Sequence, residues 1–145
     1  METKETKFYK LFNEIGMEFK KKLTCIPEQF GLDLSIRNVQ IIEYIGFEQK
    51  TMSEIAEAFN LTPGSLTTVV DNMVENNYLI REKNYDLDKR KVFISLGDSG
   101  KKIQKVMART NKIAIISMLE DISEKEADKM ISQMQKMLNG LKNNQ

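Results

Sequence analysis

A chain of 145 residues with 41% hydrophobic and 30% charged side chains can bury a core in one globular domain, which excludes a disordered or fibrous polypeptide. With no histidine and one cysteine it has no intramolecular disulfide, no zinc-ligand spacing and no Cys/His or Ser/His catalytic couple, and its carboxylates lie among lysines as on solvated helix faces, so it reads as a non-enzyme without metal or cofactor. The formal net charge of +1 hides seven bases against ten acids in residues 33–96, which counts against a purely electrostatic grip on nucleic acid.

The start, "METKETKFYK", lacks the apolar core of a signal peptide, and no apolar run approaches the ~20 residues that span a bilayer. A cytoplasmic protein with no membrane partner is expected. From Thr6 to Thr24, Phe8, Leu11, Phe12, Ile15, Phe19 and Leu23 recur at three- and four-residue steps, predicting an amphipathic helix that ends in the Pro27 and Gly31 region. Ser35 is placed to cap a second helix through Ile36, Val39, Ile42 and Ile45. "TMSE" at 51–54 has capping-box spacing and opens a short helix through Ile55, Ala56 and Phe59. In "NLTP" at 60–63, Asn60 tolerates a left-handed turn, Thr62 suits an N-cap and Pro63 the first helical position of a helix running to about Asn76. A short helix, a tight turn and a second helix have the spacing of a helix-turn-helix.

Beyond Asn77, "YLIREK" and "KVFISL" are rich in aromatic and β-branched residues, and the polar "NYDLDKR" between them can reverse the chain, so a hairpin is expected. Asp98 or Ser99 then opens a long helix, and "SEKE" at 123–126 repeats the capping-box spacing before a last one carrying Met130, Ile131, Met134, Met137, Leu138 and Leu141. The helical spacing of these methionines fits a packed core. The expected fold class is mainly α with a small β-hairpin wing, a winged helix-turn-helix flanked by long amphipathic helices.

On a wheel of residues 64–76, Leu66, Val69, Val70 and Met73 share one side, while Gly64, Thr68, Asp71 and Glu75 centre the other, flanked by Ser65, Thr67 and Asn72. A small, polar outer face suits a helix whose first turns approach base edges. Gly64 reads equally as a place where backbone amides approach a phosphate and as a tolerated early-helix glycine. Ser65, Thr67, Thr68 and Asn72 can bond bases or phosphates, but no Arg or Lys on this face can make the bidentate guanine contact, so an A·T-leaning site is expected.

On the hairpin, residues two apart share a face, which puts Asp88 with Arg90 and Lys89 with Lys91. An aspartate beside an arginine can hold the guanidinium at one angle for a narrow minor groove, with Lys83, Lys89 and Lys91 on phosphates; the plain alternative is a surface ion pair.

A helix-turn-helix followed by a hairpin whose second strand begins "DKRK" and ends "ISLGDSGKK" resembles the MarR family of winged-helix transcription regulators, with its D-x-R-R wing and LT-x-x-G strand-to-helix junction. The resemblance is clearest in "TMSEIAEAFNLTPGSLTTVVDNMVENNYLIREKNYDLDKRKVFISLGDSG", residues 51–100, where "VVDNMVENNYLIRE" follows V-D-x-L-E-x-x-G-L-V-x-R. Lys91 replaces the second wing arginine, Asn77 the usual glycine and Gly97 the usual threonine; Asn72 stands where many members have arginine, which puts inherited base contacts there in doubt. The resemblance implies one MarR-like domain, with a DNA-binding lobe at 33–97 and a helical dimerisation region at 1–32 and 98–145. It implies that Asp88 and Arg90 are the wing couple, Arg81 the arginine at the wing base and the start of helix 63–76 the major-groove reader; Arg81 could instead pair with Asp71 or Asp86. It also implies a homodimer on double-stranded DNA, reading a pseudo-palindrome with half-sites ~34 Å apart.

Members of the family often release DNA when a small aromatic or phenolic molecule enters between dimer helices and lobe, and others when a cysteine is oxidised. Phe30, Tyr44 and Phe47 could line such a pocket or simply pack. Cys25, with Lys21 and Lys22 a turn before it, could have a lowered pKa, but it lies near the end of the first helix, not near its start as in the oxidant-sensing branch, and a packed thiol is the favoured reading. The sequence thus points to a regulator, most simply a repressor, with a winged-helix protein-interaction module as the alternative from another class.

Overall fold

The computed structural model describes residues 1–29, 34–83 and 91–143. Among the described residues six helices and three short strands follow in the order α1 (Lys4–Gln29), α2 (Ile36–Ile45), β1 (Lys50–Thr51), α3 (Met52–Ala58), α4 (Pro63–Glu75), β2 (Leu79–Lys83), β3 (Val92–Leu96), α5 (Asp98–Met118) and α6 (Glu124–Asn143). Met1–Asn111 form one compact unit and Lys112–Gln145 a second.

The helix starts follow the side chains expected to cap them. The Ser35 hydroxyl accepts the Asn38 amide at 3.2 Å. Thr51 accepts the Glu54 amide at 3.2 Å while the Glu54 carboxylate accepts the Thr51 amide at 2.7 Å, completing the capping box of α3. At α6, Ser123 and Glu126 repeat the exchange at 3.4 and 3.0 Å. These bonds hold the Glu54 and Glu126 carboxyls below their ordinary value of 4.5, through the Thr51 amide and then its hydroxyl for Glu54, and through the Ser123 hydroxyl and then its amide for Glu126.

The first helix ends at Gln29, within the expected Pro27 and Gly31 region, and its backbone stays helical past Pro27 because a proline lacks one amide donor but still fits helical φ. The hairpin is not the whole sheet. β1, missed because two residues carry no periodicity, pairs antiparallel with β3 through Lys50↔Ile94 and Thr51↔Phe93, so the order is β1-β3-β2. β2 meets β3 in the expected hairpin, from Leu79↔Leu96 to Lys83↔Val92.

The core of the first unit gathers one face of each element. Ile41, Ile42 and Ile45 of α2, Ile55 of α3, Leu66, Val70 and Met73 of α4, Leu79 of β2, Ile94 of β3 and Met107 of α5 are all shut off from solvent. Each such side chain contributes ~1.5–3 kcal/mol through burial, so the lobe is held from every side. Asn60 (φ 49°) makes the left-handed turn between α3 and α4, and Asn77 (φ 60°) the one that ends α4. Gly97 and Ser99 then donate their amides to the Tyr78 and Asn77 carbonyls at 2.9 and 3.2 Å. A Cβ on Gly97 or Gly100 would collide with those same carbonyls, so the "LGDSG" junction needs its glycines for close approach.

Candidate nucleic-acid interface

Helix α4 buries Leu66, Val70 and Met73 and leaves Val69 half-buried, which turns its other side outward. Gly64, Ser65, Thr67, Thr68, Asp71 and Asn72 are all exposed there, as the wheel predicted. Thr62, as N-cap, accepts the Ser65 amide at 3.3 Å and donates its own proton to the Ser65 hydroxyl at 2.9 Å. Thr67 donates to the Pro63 carbonyl at 2.8 Å and Thr68 to the Gly64 carbonyl at 3.3 Å. A Cβ on Gly64 would meet nothing within 4 Å, so packing does not require a glycine at this point.

The wing base stands beside this helix. Alternation along β2 puts Leu79, Arg81 and Lys83 on one face, with Leu79 buried and the two cations emerging beyond it. Of the two partners open to Arg81, the structure selects Asp71: the guanidinium Nη2 lies 2.6 Å from its Oδ1. The side chains are 36% and 55% exposed, so this bond adds at most ~1 kcal/mol of stability. Its consequence is geometric, because it joins α4 to strand β2 at the base of the hairpin. Asp86, the other candidate, lies outside the described residues, as do Asp88, Lys89 and Arg90. Lys91 is exposed where the chain re-enters β3.

Between α3, the start of α4 and the wing base runs a groove of about 400 Å³, floored by Met52, Ala56, Leu66 and Val92 and edged by Thr67, Arg81 and Lys83. Nothing in the sequence pattern pointed to it, since it is lined by residues from four separate segments. On the opposite face of β2, Ile80 and Glu82 help line a second hollow of about 360 Å³ with Phe47, and Gln49 donates to Glu82 at 3.2 Å.

Of the residues considered for effector or redox control, the side chains of Tyr44 and Phe47 are described. Tyr44 meets the Phe59 ring edge-on at 5.7 Å and lies under the Lys50 ammonium at 5.5 Å, so it packs within the lobe, whereas Phe47 is 67% exposed. Phe30 lies outside the described residues; Cys25 lies in the α1 backbone, its thiol outside the described part. Among the described residues no group of three or more His, Cys, Asp and Glu could hold a metal ion. None of the described helices is long and apolar enough to cross a membrane.

A short helix, a tight turn, an outward-facing second helix and a hairpin tied to it define a winged helix-turn-helix, the architecture of transcription regulators. The model of the MarR family matches residues 32–90, most of this winged-helix lobe. No curated protein sequence matches the chain. Among solved structures, a mutant of MepR from a multidrug-resistant S. aureus clinical isolate is 24% identical, with 97% of this chain and 99% of that one covered and a TM-score of 0.77. FabT of Streptococcus pneumoniae, crystallised in complex with DNA, is 22% identical over 95% and 99% of the two chains, with a TM-score of 0.73. MarR of E. coli is 17% identical over 89% and 94%, with a TM-score of 0.63. At these identities the likeness is one of fold, and it extends over the outer helices as well as the lobe.

Proposed function

We propose that this protein is a DNA-binding transcription regulator that works as a homodimer, lays the start of α4 in the major groove and sets its wings on the flanking minor grooves. The observation that carries this reading is the exposed, small and polar face of α4, fixed beside the wing base by Asp71 and Arg81. A face without long side chains lets a helix sink towards base edges, and the exposure of Lys83 and Lys91 supports a role for them on phosphates. The family match, and the DNA complex of a protein with this fold, support the same reading.

Without a cation on the base-reading face, guanine loses its usual bidentate partner, so the operator is A·T-leaning and pseudo-palindromic, with half-sites ~34 Å apart. Asp88 orients Arg90 at the tip of each wing, and occupancy of the site represses by blocking a promoter. A small aromatic or phenolic effector releases the block by binding one spacing of the two lobes better than the other.

The test is selection of bound sequences from random duplexes across a salt series, with wild type and Arg90→Ala. Enrichment of a two-fold A·T-leaning site, with affinity falling linearly in log–log against salt and weakened by the wing substitution, is expected. Enrichment of G·C-rich half-sites would sink the base preference. No enrichment and no salt slope would replace the reading with a protein-interaction module.

A further inference from the structure

The hydrogen bonds on the outer face of α4 restrict what that face can offer a base. A threonine hydroxyl has one proton to give. Thr67 has given its proton to the Pro63 carbonyl at 2.8 Å and Thr68 its own to the Gly64 carbonyl at 3.3 Å, both within the helix. Both residues are nonetheless exposed, at the centre and flank of the face that the core leaves outward. What each presents is a methyl group and a hydroxyl oxygen able only to accept. Asp71, one turn on, is tied to Arg81. The Ser65 hydroxyl proton and the Asn72 amide are the donors on this face without a partner among the described residues.

We infer that Thr67 and Thr68 are specificity residues that read thymine through its C5-methyl group and do not donate hydrogen bonds to bases. In the major groove only thymine carries a methyl, and guanine offers only the acceptors N7 and O6 on its edge. To serve guanine, either threonine would have to break its bond to the helix; to serve an A·T pair it need not move, because the methyl meets thymine and the oxygen can accept from the adenine N6 amino group. Discrimination between thymine and cytosine therefore rests on apolar contact, and the hydroxyl hydrogen bond serves to hold the rotamer.

The inference rests on the DNA-binding reading, and its test separates the two. With the selected operator in hand, affinity is compared for duplexes carrying thymine or deoxyuridine in the half-sites, which differ by the methyl alone. Deoxyuridine should weaken wild-type binding about fourfold for each methyl buried, the equivalent of ~0.8 kcal/mol. Thr67→Ser and Thr68→Ser, which keep the hydroxyl and lose the methyl, should each lose the preference at the thymine that the substituted residue faces. Thr67→Val and Thr68→Val, which keep a methyl and lose the hydroxyl, should still prefer thymine, and circular dichroism melts check that all four variants fold. Equal binding of the two duplexes by wild type, with the operator still bound tightly, would overturn the inference and leave the regulator intact. A preference that survives in the serine variants and vanishes in the valine ones would do the same; failure to select any operator would take both readings down together.

Discussion

Arg81 reaches Asp71 at 2.6 Å from a strand whose neighbours on the same face are the buried Leu79 and the exposed Lys83. Because the pair is solvent-facing, Arg81→Ala and Asp71→Ala should each shift stability by less than ~1 kcal/mol. Affinity for the operator is another matter: Arg81→Ala should cost about 1–3 kcal/mol, and Asp71→Ala should cost less and add nothing in the Arg81→Ala background, since the acid acts through the base. A double-mutant cycle read by fluorescence anisotropy checks this, and additive losses would show that Asp71 acts without Arg81. Gly64 can be resolved in the same way. With open space around it, Gly64→Ala should raise stability by about 0.5–1 kcal/mol in urea melts. If the backbone there approaches a phosphate, the same change weakens DNA binding; unchanged affinity would leave Gly64 a tolerated glycine. The sequence left Arg81 open between a free arginine at the wing base and a partner of Asp71 or Asp86, and only the approach of α4 to β2 could choose, because ten residues along the chain say nothing about distance across a turn.

The capping boxes make a prediction about pH. Glu54 and Glu126 have folded-state pKa values lowered from 4.5, so the stability they add is present above the unfolded value and is lost as pH falls through the lowered folded value. Thermal melts from neutral to acidic pH should show an acid limb that becomes shallower in Glu54→Gln and again in Glu126→Gln; an unaltered limb in the double variant would rule the caps out as its source. Helix α5 is joined to α2 by the Asn111 amide, which donates to Glu43 Oε1 at 2.5 Å in a partly buried setting. Asn111→Leu should destabilise the first unit by about 1 kcal/mol, because it removes a hydrogen bond to a partly buried carboxylate, and denaturant unfolding measures it. The caps were legible in advance because each is a contact within four residues; β1 and the Asn111 bond to Glu43 were not, because one is too short to show a period and the other joins residues 68 apart.

At the scale of the molecule, exposed apolar stripes stand out. Phe8, Leu11, Phe12 and Ile15 of α1 are half or more exposed, while Phe19 further along packs against the lobe core. On α6 no residue is buried, yet Ile131, Met134, Leu138 and Leu141 follow one another at helical steps, 65%, 58%, 45% and 70% exposed. An apolar face of this length is what a second copy would cover in the proposed homodimer. Met134→Glu combined with Leu138→Glu should therefore yield a monomer in sedimentation equilibrium and remove tight binding to the two-fold operator, while single half-sites are still bound weakly. A dimer of unchanged mass would place the interface elsewhere.

The sequence by itself determined the capped helix starts at Ser35, Thr51, Thr62 and Ser123, the left-handed turn at Asn60, the hairpin and the outward face of α4, because capping, turn geometry and periodicity act over a few residues and leave their mark on residue types. The tertiary structure alone decided that Arg81 lies with Asp71, that a third strand joins the sheet, that glycines 97 and 100 are wedged against the turn after α4, and that a groove runs between α3, the start of α4 and the hairpin base. Those features depend on segments far apart in sequence meeting at van der Waals distance, and such meetings are fixed by the packing of the whole core and by no local preference.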